Sequence, residues 1–124
     1  MSNIETIRAF LDAFNAKDID RVISFFADEA VYHNMPAKPV EGVEAIRASI
    51  TGYAAPATSI DWELLSVAEA EGGTVLTERI DRFDFGDNHV ELPVMGAFDF
   101  AGGKITAWRD YFDMAQFRSQ MSGG

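Results

Sequence analysis

The chain has 124 residues and ten basic against twenty acidic side chains, for a net charge of −10, and 48% of it is apolar, including ten Phe, three Tyr and two Trp. That length fits a single domain over residues 1–124, the apolar content excludes a disordered acidic protein, and the charge argues against nucleic acid or an anionic membrane surface as partner. Cysteine is absent, which excludes disulfides, thiolate metal sites and a cysteine nucleophile; no segment has a leader pattern or the apolar length to span a bilayer, so a cytoplasmic protein is expected.

Ser2 and Glu5 have capping-box spacing, and Ile4, Ile7, Phe10, Leu11 and Phe14 then recur at helical intervals, which predicts a first helix. Asp18 is the expected cap of a short second helix with Ile19, Val22, Ile23 and Phe26 on its apolar side, closed by Asp28 and Glu29. Residues Ala30 to Asn34 read as extended. After a loop containing Pro36 and Pro39, a third helix is expected from Val43 to Tyr53, with Ile46, Ile50 and Tyr53 on one side.

From Ser59 the apolar period changes to two, and Gly72-Gly73, Gly86-Asp87-Asn88 and Gly102-Gly103 arrive at hairpin spacing. This predicts an antiparallel meander of four strands, from Ser59 to Ala70, Thr74 to Phe85, His89 to Phe100 and Lys104 to Phe112. A short terminal helix carrying Met114, Phe117 and Met121 follows, and Ser122-Gly123-Gly124 reads as a loose tail. The class is α+β, with helices on one face of a curved sheet and room for a pocket between them.

Strand parity then gathers polar groups on apolar faces. Arg79 and Asp81 share a face with Val75, Thr77, Phe83 and Phe85; Asp110 lies between Trp108 and Phe112; Tyr32 and Asn34 point the same way two residues apart. Taken singly, the arginine and aspartates read as a structural ion pair, Tyr32 as a core aromatic and Asn34 as a turn former. Brought into one pocket, two carboxylates beside one arginine would share a proton, so that one serves as acid and the other as base.

The segments Val31-Tyr32-His33-Asn34-Met35-Pro36, Thr77-Glu78-Arg79-Ile80-Asp81 and Gly103-Lys104-Ile105-Thr106-Ala107-Trp108-Arg109-Asp110-Tyr111-Phe112-Asp113 together resemble the limonene-1,2-epoxide hydrolase family. The resemblance spans nearly the whole chain. It implies a cone-shaped fold like that of nuclear transport factor 2, with a strongly curved mixed sheet and helices around a deep apolar pocket. Asp110 would be the general base acting on a water held by Tyr32 and Asn34, Asp81 the general acid, and Arg79 the bridge between them. Water would open a compact apolar epoxide, cyclic or terpenoid, to a vicinal diol without a covalent intermediate. The resemblance also implies no metal or organic cofactor, and a homodimer formed through the open sheet surface.

Phe83, Leu92, Val94, Phe112 and Phe117 are candidates for the pocket wall. By parity His33 and Arg82 face away from the site, and Asp113 reads as the N-cap of the terminal helix. Two other functions suit the same cone: a ketosteroid-isomerase or polyketide-cyclase type of enzyme, which would leave Arg79 and the second aspartate without a task, and a non-catalytic small-molecule-binding domain.

Overall fold

Capping chemistry sets the start of the chain in the computed structural model, which describes residues 1–121; the Ser122-Gly123-Gly124 tail lies outside the described residues. Helix α1 (Asn3–Asn15) opens on Ser2, whose hydroxyl accepts from the Glu5 N–H at 3.1 Å while the Ser2 N–H donates to Glu5 Oε1 at 3.2 Å. Helix α2 (Ile19–Ser24) opens on Asp18, which accepts from the Arg21 N–H at 3.2 Å. Its expected end is corrected: Phe26 is not on the helix but begins strand β1 (Phe26–Asn34), which also contains Asp28 and Glu29. Phe26 has an apolar neighbourhood there too, 5.6 Å from the Phe10 ring, and its backbone gains the partner Ile105.

A two-residue strand β2 (Val40–Glu41), which periodicity did not reveal, pairs antiparallel with β1 and leads into α3 (Val43–Ala54). The expected meander follows as β3 (Ser59–Glu69), β4 (Val75–Phe85), β5 (Asn88–Ala101) and β6 (Lys104–Tyr111), and α4 (Met114–Met121) ends the described chain. All six strands form one sheet in the order β2-β1-β6-β5-β4-β3. The β1–β6 pair is parallel and the others antiparallel, so the sheet is mixed; β2 and β3 leave it open at both edges. Register shifts between Leu64 and Ser66 and between Asp99 and Phe100 bend it.

Helices α1 and α3 present apolar stripes to the inner face. Phe10, fully buried, meets Phe14, Phe25, Phe26, Phe98 and Trp108 edge-on, with ring centroids 5.1–5.7 Å apart. Burial of each such ring contributes about 1.5–3 kcal/mol. At the end of α1, Asn15 clasps the edge strand: its carboxamide accepts from the Trp62 N–H at 2.7 Å and donates to the Trp62 carbonyl at 3.2 Å. Helix α4 has no fully buried residue. Asp113 caps it through the N–H groups of Ala115 and Gln116, as its sequence position implied, and Gln120 ties it to Glu91 of β5 by two hydrogen bonds.

Candidate active site

The parity of β4 sends Val75, Thr77, Arg79, Asp81 and Phe83 inward, and all five are buried. Arg79 is wholly inaccessible, while Asp81 and Asp110 are 4% and 3% exposed. An arginine in such a place must satisfy every donor it carries, and it does. Its Nε and Nη2 grip Asp81 at 3.0 and 2.9 Å, its Nη1 and Nη2 grip Asp110 at 3.2 and 2.8 Å, and Nη1 also donates to Thr77 Oγ1 at 3.1 Å. The guanidinium carbon lies 5.2 Å from the Trp62 ring.

Asp110 receives a further donor, the Trp108 indole N–H at 2.7 Å. It therefore accepts three hydrogen bonds from side chains where Asp81 accepts two. The parallel register sets Tyr32 beside Trp108 and Asn34 beside Asp110, which carries the phenol and amide of β1 to the carboxylate of β6. The Tyr32 hydroxyl meets the Tyr53 hydroxyl of α3 at 3.1 Å. Between β4 and β6, β5 supplies Gly96, opposite both Thr77 and Asp110. A Cβ there would sit 2.5 Å from Arg79 Nη1 and 2.7 Å from Asp110 Oδ1, so only glycine leaves space for the ion cluster.

Two ionised carboxylates and one guanidinium would bury a net negative charge. Burial therefore pushes the Asp81 carboxyl up to about 6; Arg79 pulls it back and the Asp110 charge adds to the rise. For Arg79, burial opposes the cation, but Asp110 and Asp81 outweigh it and hold the guanidinium above its ordinary range. Burial, with the Asp110 charge, also raises the Tyr32 phenol, and burial with the neighbouring Tyr32 raises Tyr53, so both hydroxyls stay neutral near pH 7. The set can hold one proton on one carboxylate while the other remains free to accept one.

These groups open on a cavity of about 190 Å3 lined by Tyr32, Asn34, Tyr53, Trp62, Asp81, Phe83, Phe85, Leu92, Val94, Asp110, Phe112, Met114 and Phe117. All five expected wall residues line it, as do Tyr32, Asn34, Asp81 and Asp110, while Arg79 stands behind the two carboxylates. Sequence reasoning missed the parts played here by Tyr53, Trp62, Thr77, Gly96 and the Trp108 N–H. Gly96 alone carried a signal, a glycine inside a strand. His33 turns aside, with Nε2 3.0 Å from the Ala37 carbonyl oxygen, and Arg82 points to the outer face, 2.9 Å from Glu63. Among the described residues no cluster of His, Asp and Glu is arranged to hold a metal ion, and no helix is long and apolar enough to cross a membrane.

Residues 1–122 match the family model of the limonene-1,2-epoxide hydrolase catalytic domain. Epoxide hydrolase EphG of Mycobacterium tuberculosis is 34% identical over 109 residues, which are 87% of this chain and 71% of that protein. The structure of an LEH-like epoxide hydrolase from M. tuberculosis superposes with a TM-score of 0.84 at 30% identity, over 98% of this chain and 90% of that one. A structure described as a SnoaL-like polyketide cyclase, from Shewanella putrefaciens, reaches a TM-score of 0.85 at 13% identity over 98% and 97% of the two chains, a likeness of fold alone.

Proposed function

The chain belongs to the limonene-1,2-epoxide hydrolase family, and from that premise we propose that it adds water to a compact apolar epoxide, cyclic or terpenoid, in one step to give a vicinal diol. The observation that carries this reading is the double grip of Arg79 on Asp81 and Asp110 at the wall of an apolar cavity. In it Asp81, held up to about 6, is the acid, and Asp110 is the base. Asn34, beside Asp110 in the β1–β6 register, and Tyr32, beside Trp108, hold the attacking water; Tyr53 steadies the Tyr32 hydroxyl through their hydrogen bond.

The step balances within the cluster. The water oxygen forms a bond to an epoxide carbon as its proton passes to Asp110, the C–O bond breaks toward oxygen, and Asp81 delivers its proton to that oxygen. One proton has crossed from Asp81 to Asp110, which lie on the same guanidinium, and exchange with solvent through the open cavity restores the start. Phe83, Leu92, Val94, Phe112 and Phe117 hold the hydrocarbon part of the substrate, and neither a metal nor an organic cofactor is needed. We read residues 1–124 as one domain, supported by the single sheet that takes in every strand. A homodimer through the outer sheet face is supported by exposed Leu76, Met95 and Tyr111, of which Met95 and Tyr111 are register partners.

The test is diol formation from a panel of cyclic and terpene epoxides by wild type and Asp110→Asn together. Diol from wild type and a loss of about 10^3-fold in a folded Asp110→Asn protein are expected. Equal rates would remove Asp110 as the base. A wild type that makes no diol, yet isomerises or cyclises a carbonyl substrate, would move the assignment to the isomerase and cyclase class.

A further inference from the structure

Among the described residues one buried side-chain polar atom has no hydrogen-bond partner, and it is Trp62 Nε1. A buried N–H left unpaired costs free energy that native proteins avoid unless the group is in use. Trp62 lines the cavity and lies directly opposite Asp81 in the β3–β4 register. Its ring is held in place: Asn15 clasps both polar groups of its backbone, Phe14 stacks on it at 4.1 Å, and the Arg79 guanidinium lies 5.2 Å from it. Of its ring neighbours, Phe14 and Phe83 have no lone pair and Arg79 only donates, and neither the Tyr53 hydroxyl nor the Asp81 carboxylate opposite it accepts a hydrogen bond from Nε1.

We propose that the Trp62 indole N–H is a second donor to the epoxide oxygen, alongside Asp81, and therefore a catalytic residue of this chain. The inference rests on the hydrolase reading above. As water attacks carbon, the electron pair of the breaking C–O bond collects on the oxygen. Asp81 transfers its proton there, whereas Trp62 keeps its own and donates a hydrogen bond that strengthens as charge builds. A fixed donor in a water-poor cavity aids a transition state in this way because it need not reorganise. It also fixes which edge of the ring faces the acid, leaving the opposite side of the carbon open to the water beside Asp110.

Two measurements test this. In proton–nitrogen NMR spectra of wild type, the Trp62 indole N–H, assigned through its contacts with the Phe14 and Tyr53 rings, is followed on addition of trans-1,2-cyclohexanediol and of methylcyclohexane. A saturable downfield shift with the diol and none with the hydrocarbon is expected. A Trp62 signal that stays put while other cavity signals move with the diol, or that moves alike with both compounds, would overturn the assignment. Kinetically, Trp62→Phe keeps an aromatic ring but removes the donor, and kcat for the epoxide should fall by about 10- to 100-fold with KM nearly unchanged. Diol formation by wild type matched by an equal kcat in folded Trp62→Phe would refute the role of Trp62 alone, whereas no diol from wild type would refute the hydrolase reading beneath it. Should the variant fail to fold, the wild-type spectra decide.

Discussion

Two arginines three residues apart on β4 face opposite sides of the same sheet, and each gathers carboxylates. Arg79, on the inner face, grips Asp81 and Asp110 with nothing exposed beyond 5% of a side chain. Arg82, on the outer face, meets Glu63 at 2.9 Å, Glu91 at 3.3 Å and Asp61 at 3.7 Å, with its side chain 27% exposed and its partners 51–70% exposed. The chemical inventory is nearly the same, and the surroundings decide what it does. Outside, water and salt screen the charges and such pairs contribute little. Inside, the unbalanced negative charge has no solvent to dissipate it, and the result is a carboxyl lifted to about 6 by burial.

The contrast can be broken most severely at the inner arginine. Arg79→Met leaves two buried carboxylates facing each other, and urea denaturation should show a loss of about 3–5 kcal/mol together with loss of diol formation. A variant as stable as wild type would mean that the cluster does not depend on its cation. Gly96→Ala attacks the same cluster by volume rather than charge. The intruding methyl should displace Arg79 and Asp110, lowering kcat by about 10^2-fold and stability by about 1–3 kcal/mol, as read by turnover and thermal unfolding.

Titration sharpens the comparison without any substitution. If Asp81 delivers the proton, kcat/KM should fall about tenfold per pH unit above about 6, where the acid form of the free protein is depleted. For stability the sign follows from the raised value: the Asp81 contribution is fully present below its ordinary pKa near 3.8 and is lost as pH rises through about 6. Arg82→Ala is the smallest expected change. Activity and the midpoint of denaturation should stay within the scatter of repeated measurements, and a large loss at either would show that the outer cluster matters more than its exposure allows.

Much of this arrangement was legible in the order of residues because its signals are local. The caps at Ser2, Asp18 and Asp113 depend on neighbours two or three residues away, and the glycine turns define the hairpins from β3 to β6. Parity alone was enough to send Arg79, Asp81 and Asp110 inward. What stayed hidden depends on pairing between distant segments. The strand β2 is too short to show a period, and Phe26 suits a helix or a strand equally until Ile105 is placed beside it. Tyr53 and Trp62 carry apolar bodies that satisfy a core pattern, so their polar tips become meaningful only when the register sets them against Tyr32 and Asp81. The parallel contact of β1 with β6 joins residues more than seventy positions apart, and no period in the chain announces it.

The Asn15 clasp has one more consequence. β3 is an edge strand, and the backbone N–H and carbonyl of an edge residue are the groups through which a foreign strand would extend the sheet. At Trp62 both are already taken by a side chain that imitates the missing neighbour, and a few residues on the ladder shifts register between Leu64 and Ser66. The same amide that holds the indole at the cavity wall thus withdraws one donor and one acceptor from the open edge, so that a foreign strand would meet a plugged socket at Trp62.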